Sequence, residues 1–433
     1  MVTFKRYFSR TFASLSIRNY RLFFIGLTVS QCGTWMQTVA QGWLMLSLTG
    51  SGAQLGLMLA CQFLPILLLS PIGGMLADRS SKRHILFVTQ SLAGLQALAV
   101  GVLVVSGTIE PWMLYVAAAA FGTINAFDNP TRQTFVSELV GHSNLRNAIT
   151  LNSTLNQLAR AVGPTIAGIL IAGVGIAFCY FVNAASYLAT IIVLGQMRDD
   201  EMFHGDTKPP KGTISLKGMS TALAYVGKKP LLRNILIMVV ILGMFSYEFQ
   251  VSLPLLAQEV FTSGASGYAT LLTAMGLGSV AGGLFSAGRK KVAPSQLVVS
   301  CLLFGSAMVI TARMPSFWWA TVGMLFVGFF SINLTSVANT ILQLETKPEM
   351  QGRVMSLWTM AMLGTTPIGA PIIGLFGEYL GGRWGIGAGG VAAFVAGIFA
   401  LFTLGSFDRF KFIPSLIRRR TEAVSIEEDI KLA

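Results

Sequence analysis

The sequence predicts an all-α membrane protein: twelve transmembrane helices in two pseudo-symmetric six-helix halves. Three observations carry this. The 433-residue chain is 53% hydrophobic and 11% charged, with a mean hydropathy of +0.66, so it has too little polar surface to cover a soluble globule. Apolar runs long enough to cross a bilayer, which takes about 20 residues each, recur about a dozen times between short polar segments. The second half also repeats marks of the first: Glu138, Arg146 and Pro164 return as Glu345, Arg353 and Pro371, Gly73-Gly74 as Gly282-Gly283, and Ser51-Gly52-Ala53 as Ser263-Gly264-Ala265. A conserved order with drifting offsets is what loop insertions leave between structural repeats.

The formal charge of +13 has a topological explanation. With the N-terminus placed inside, 28 of the 31 Lys and Arg fall on the cytoplasmic side, leaving Arg160, Arg313 and Arg383 elsewhere. This is the positive-inside bias, and it removes any need for a nucleic-acid partner. No small-residue cleavage pattern follows a short apolar core at the N-terminus, so the chain is expected to enter the membrane by its own first helix. Cys32, Cys61, Cys179 and Cys301 all sit in apolar runs without metal-ligand neighbours and read as packing residues.

The elements then follow in order. Residues 1–20 form a cytoplasmic N-terminal segment, in which Phe4, Tyr7, Phe8, Phe12 and Leu15 oppose Lys5, Arg6 and Arg10, as in an interfacial helix; a flanking tail is the alternative. The N-terminal half, 21–197, holds spans near 21–48, 53–77, 85–106, 111–129, 147–172 and 177–197. A cytoplasmic linker, 198–232, is marked by Asp199, Asp200, Glu201, Lys208, Pro209 and Pro210. The C-terminal half, 233–407, holds spans near 233–259, 267–287, 295–313, 317–343, 354–378 and 387–407, and 408–433 is a charged cytoplasmic tail.

Between the second and third spans lies Gly73-Gly74-Met75-Leu76-Ala77-Asp78-Arg79-Ser80-Ser81-Lys82-Arg83. This loop resembles the signature of the major facilitator superfamily, with Ser81 where that family usually has glycine. The resemblance implies a secondary transporter in which Asp78 latches the cytoplasmic side shut against the N-terminus of helix 11, a partially positive end that favours an anion. It further implies a charge relay from Asp78 through Lys82 or Arg83 to Asp128. Gly74 and Arg79 belong to the same gating loop, although the basic residues are also explained as topology determinants. The repeat places Ala287 opposite Asp78, so the acid occurs in one half only.

Phe127-Asp128-Asn129-Pro130-Thr131-Arg132-Gln133, continuing through Glu138 to Asn147-Ala148, adds a charge cluster where Pro130 is expected to break helix 4. With Arg18-Asn19-Tyr20 and Gly33-Thr34-Trp35 through Gln41-Gly42-Trp43, its order is similar to the branch of the superfamily that exports enterobactin and macrolides. In helix 5, Gly163-Pro164-Thr165-Ile166-Ala167-Gly168 bends the span and admits a close neighbour. It resembles the antiporter motif of drug exporters, with Thr150 and Ala159 where further glycines are expected, and that resemblance favours export.

Charge inside the membrane is costly and needs a partner or an aqueous cavity. Arg160 lies 14 residues beyond Arg146, roughly 21 Å along a helix, and the acidic candidate is Glu248 in helix 7. The two are expected to act as a pair, as substrate and proton contacts, or as a static tie between halves. Gln31, Trp35, Gln37 and Gln41 in helix 1, with Asn125 and Asn156, offer neutral hydrogen-bonding groups beside an aromatic ring. That lining suits a large, partly polar ligand; plain interhelical bonding is the alternative for each.

The resulting expectation is a proton-coupled antiporter of the bacterial inner membrane, exporting a siderophore, drug or other amphipathic small molecule by alternating access. An uptake carrier and a non-transporting sensor or scaffold are the competing readings. No P-loop, metal-ligand cluster or nucleophile with its base is present, which argues against an enzyme and against any cofactor beyond the proton gradient. Expected partners are a small-molecule substrate and the lipid bilayer, with outer-membrane or periplasmic efflux partners as an option, around a monomer.

Overall fold

The computed structural model describes residues 12–203, 216–289 and 292–411. Within them the chain is helical, without a β-strand. The first half comprises α1 (Arg18–Thr49), α2 (Gly52–Arg79), α3 (Lys82–Val105), α4 (111–140), α5 (Ser143–Gly173) and α6 (Ile176–Gly195). The second comprises α7, in two pieces (Pro230–Phe245 and Phe249–Leu255, the latter followed by a π turn), α8 (Gly264–Ala287), α9 (Pro294–Arg313) and α10 (Phe317–Glu345). It ends with α11, also in two pieces (Pro348–Leu363 and Thr366–Leu380), and α12 (Gly382–Lys411).

Ten of these spans are long and apolar enough to cross a bilayer on length and composition. The remaining two, α1 and α4, are long enough but carry Gln31, Gln37, Gln41, Asn125 and Asp128. Their polarity marks the side on which the cavity lies.

The two halves are built alike. In the first, Gly122 of α4 is pressed on the Gln62 backbone of α2; in the second, Gly328 of α10 is pressed on the Met275 backbone of α8. Likewise α3 meets α6 at Gly101 and Phe181, and α9 meets α12 at Gly305 and Gly390. Small residues are placed where backbones must touch, because lipid supplies no hydrophobic drive for helices to associate.

Several features correct the sequence reading. Pro130 does not break α4: the helix runs on to residue 140 and turns at Gly141, whose φ of 65° is one that only glycine adopts without strain. The membrane part of α7 is interrupted at Ser246-Tyr247-Glu248, and α11 at Gly364-Thr365. The segment assigned to a solvated linker contains a helix, Leu216–Gly227, docked on the second half: the Tyr225 hydroxyl accepts from the Lys347 amide at 3.2 Å. Phe4, Lys5, Arg6, Tyr7, Phe8 and Arg10, the linker residues Lys208 to Pro210 and the tail beyond 411 lie outside the described residues.

The Arg18-Asn19-Tyr20 motif is a tie. The Tyr20 hydroxyl donates to the Ala148 carbonyl (3.1 Å) and approaches Asn152 Oδ1 (3.1 Å), joining α1 to α5, and Asn19 Nδ2 donates to the Arg198 carbonyl at 2.7 Å.

Contact between the halves runs through α2 with α11 and α5 with α8. Gly52 of α2 faces the Gly374 carbonyl, Gly56 overlies the Ala370–Pro371 backbone, Gly168 of α5 meets Ala269, and Gly276 of α8 meets Ala161. These contacts cluster from mid-membrane toward the end holding Gly50, Gly175 and Gly381. At the other end, which carries Arg79, Lys82 and Arg83 and is called here the basic end, the first piece of α11 diverges after its break. A gap of about 380 Å³ opens there between α2, α4 and α11, lined by Leu67, Ser70, Gly74, Pro130 and Met360 among others.

Candidate substrate cavity and gate

A polar cavity of about 210 Å³ lies between α1, α2, α3 and α4, reached from the second half by Gln250. It shares Gln31, Asn129, Arg132 and Asn156 with a vestibule of about 400 Å³ that leads between α1, α4 and α5 toward Gln133 and Asn152.

The cavity brings together Gln31, Trp35, Asn125, Asp128 and Asn156 of the expected residues. Gln31 and Asn156 make no hydrogen bond among the described residues, whereas Asn125 donates to the Phe121 carbonyl at 3.0 Å. Gln37 and Gln41 are a different case. Gln37 is buried, donating to Gln96 Oε1 (3.3 Å) and accepting from Asn183 Nδ2 (2.6 Å), while Gln41 donates to Gln62 Oε1 (3.3 Å). At 100° per residue, positions 31, 35 and 38 share a face of α1 that position 37 does not, so Gln37 bonds helices together away from the cavity.

Ser30, Gln90 and Tyr187, which sequence reasoning passed over, complete the wall around Asp128. Asp128, only 2% exposed, accepts at Oδ1 from Thr89 (2.9 Å) and Gln90 (2.8 Å), while Oδ2 pairs with Arg132 one turn along α4. Gln90 extends toward Ser30 (3.5 Å), and Tyr187 meets Thr34 at 3.1 Å. A buried charge is tolerable when paired and fully hydrogen-bonded, and this network satisfies that condition. The i,i+4 spacing of Asp128 and Arg132 was the available signal.

The same bonds correct the expected relay, because Asp128 is committed to Thr89, Gln90 and Arg132 and not to Lys82 or Arg83. Lys82 pairs with Glu138 at 2.5 Å, and Arg83 with Asp199 at 2.6 Å and with the Leu194 and Gly195 carbonyls. These bonds fasten the start of α3 to the ends of α4 and α6. Asp78 and Arg79 are exposed and make no hydrogen bond or ion pair among the described residues. Gly74 borders the gap at the basic end. Gly163 lets α5 lie against Cys32 and Trp35 of α1, and Pro164 is carried inside α5 without interrupting it.

Arg160 and Glu248 form no ion pair, so of the three arrangements expected for them the pair and the static tie are not formed in this conformation. The guanidinium stands over the Trp35 ring, 5.1 Å from its centroid, and its Nε is buried without a hydrogen-bond partner. Glu248, 5% exposed, sits in the break of α7 against Thr366, the first residue of the second piece of α11, and its Oε1 is also unpartnered. The break of α7 thus packs on the break of α11, where Gly369 touches the Met244 backbone and Gly243 the Ala361 carbonyl. Among the described residues no group of three His, Cys, Asp or Glu is placed to hold a metal.

Two like halves, interrupted helices near the membrane centre and a polar cavity between α-helices define a secondary carrier. The chain belongs to the transmembrane secretion effector family of the major facilitator superfamily, whose model matches residues 9–430. It is therefore a multi-pass membrane transporter, not an enzyme.

Among relatives, it is 22% identical to the staphyloferrin A transporter of Staphylococcus aureus, over 81% of this chain and 87% of that protein. Identity is 25% to the enterobactin exporter of Shigella flexneri (86% and 85%) and 24% to the multidrug efflux pump Tap of Mycolicibacterium fortuitum (83% and 89%). In fold it is similar to a bacterial homologue of the human lysosomal transporter Spinster, with a TM-score of 0.70 and 15% identity over 89% of this chain and 96% of that one.

Proposed function

We propose that this carrier exports an amphipathic small molecule of the siderophore or drug type from the cytoplasm across a bacterial inner membrane, in exchange for protons. The observation that carries this reading is the cavity: free amides at Gln31 and Asn156 beside the Trp35 ring, connected to the basic end and sealed at the other by α2 on α11 and α5 on α8. Neutral donors and an aromatic face suit a ligand with both polar and apolar surface. The positive-inside bias puts the basic end, and with it both termini, in the cytoplasm, so the conformation described here loads from inside. The names of the siderophore and drug carriers among the relatives agree with that class, and those of the enterobactin exporter and the multidrug efflux pump with that direction.

Glu248 is the proposed proton site. It is an acid in an interrupted helix, packed on a second interrupted helix, where a change in helix packing alters its access to water. Gly163, Pro164 and Gly74 would serve the movement of α5 and α2 between states, and the carrier would work as a monomer.

The test is efflux from cells lacking the gene, complemented with wild type or with Gln31→Ala/Trp35→Ala, using a panel of siderophores and drugs. Export requires that the deletion strain retain at least one compound that wild type expels and the double variant does not. Retention by wild-type cells relative to the deletion strain would instead establish uptake.

A further inference from the structure

We infer that Arg160 is the receptor for an oxyanion on the cargo, which makes the substrate an acidic amphiphile of carboxylate-like head rather than a lipophilic cation. This rests on the carrier reading above and specifies its ligand.

Arg160 has no counter-ion among the described residues. Arg160 lies well inside the span of α5, one turn beyond Asn156, which lines the cavity. A cation at that depth needs a partner. The acids that could serve are spoken for or out of reach: Asp128 is held by Arg132, Thr89 and Gln90, and Glu248 sits against Thr366 beyond ion-pair distance. Tyr247, the nearest polar ring on α7, turns its hydroxyl to the Ser331 carbonyl at 3.1 Å.

The guanidinium is nevertheless held in position. Its Cζ lies over the Trp35 ring, 5.1 Å from the centroid, the Arg160 backbone carbonyl packs on Gly276, and its Nε is buried with no acceptor among the described residues. A guanidinium presents its donors as a planar fork that matches a carboxylate in two parallel bonds. A cation–π contact with tryptophan attracts the guanidinium without neutralising it. Trp35 is itself a cavity residue, so a ligand lying on Gln31 and Trp35 would bring an acidic group to the guanidinium over that ring while its apolar body remains in the cavity. Because Arg160 belongs to α5 and abuts α8, an anion bound there would also touch the seam along which the halves move.

The test uses the full-length protein in nanodiscs with two probes of one skeleton: dansyl-glutamate and its uncharged dimethyl ester, followed by energy transfer from tryptophan. The expected result is saturable binding of both, at least about tenfold tighter for the acid, since a charge-assisted hydrogen bond is stronger than a neutral one. In Arg160→Gln the preference should vanish while ester binding persists, which shows the variant is folded, and Arg160→Lys should restore part of it. Equal affinities for acid and ester in wild type, or an acid preference that survives in Arg160→Gln, would overturn the inference and leave the cavity reading intact. Saturable binding of neither probe to wild type would remove both.

Discussion

The helices α2 and α11 cross the membrane side by side and meet in opposite ways at their two ends. At the closed end Glu378, near the end of α11, accepts from the Ser51 hydroxyl at 2.6 Å and the Ala53 amide at 3.0 Å. It thereby caps the first turn of α2, where free N–H groups and the helix dipole favour an anion. At the basic end Asp78, the last acid of α2, is exposed and touches no partner among the described residues, while α11 begins apart from it at Pro348. A carboxylate of one half on a helix start of the other is thus formed at the closed end and not at the basic end. Whether Asp78 makes the equivalent contact when the basic end closes is open to direct test.

The strongest way to break this comparison is to pry the closed end apart mechanically. A Cβ at Gly56 would lie 2.6 Å from the Ala370 carbonyl carbon and 2.7 Å from Pro371 Cα, all backbone that cannot rotate aside. Gly56→Val should disfavour closure by about 1–3 kcal/mol, the usual cost of overpacking, a shift of roughly 5- to 150-fold between states. Transport should fall accordingly, and a cysteine introduced at Gln54 should react faster with a maleimide. Wild-type labelling in a well-expressed variant would show that the α2–α11 crossing does not control access.

Next in size is the acid between the two ends. Glu248→Gln keeps the shape of the side chain and removes its proton chemistry, in a site where no charged residue pairs with it. Transport driven by an imposed pH gradient should be lost, while exchange of substrate down its own gradient continues. Retained pH-driven accumulation in proteoliposomes would assign coupling elsewhere.

A gentler change at the closed end is Glu378→Gln. The carboxylate is exposed, so solvent screening limits its contribution to about 1 kcal/mol, roughly a fivefold bias between states. The same cysteine at Gln54 should report a modest rise in reactivity, and raising salt should diminish the difference from wild type. An effect as large as that of Gly56→Val would mean that the cap, not the backbone crossing, holds the end shut.

Much of this architecture was legible in advance because hydropathy, basic loops and the repeat all report on the membrane. The helix breaks were not equally so. Gly364 with Pro367 announces one in α11, but Ser246-Tyr247-Glu248 contains neither glycine nor proline, and only the structure shows it packed on the break of α11. In the cavity, Gln31 and Trp35 could be named from composition, yet only the helical face separates them from Gln37. The relay failed for a related reason. Lys82 and Arg83 have several acids within loop reach, and sequence cannot choose Glu138 and Asp199 over Asp128, whereas Arg132 was already one turn from that aspartate.

The smallest expected effect is at Asp78, and its sign is the sharpest test of the comparison. In the conformation described here its carboxylate holds nothing, so Asp78→Asn should leave stability and the closed end untouched. If Asp78 engages α11 only when the basic end closes, the substitution destabilises that other state alone. The population then moves toward the present conformation by about the same fivefold as for Glu378→Gln in the opposite sense, but transport falls only as far as closure of the basic end limits turnover. A cysteine in the basic gap, at Ser356 for example, should become more reactive in Asp78→Asn and less so in Glu378→Gln. Parallel rather than opposite changes would show that the two acids do not act on one equilibrium, and unchanged transport with unchanged labelling would leave Asp78 without a gating role.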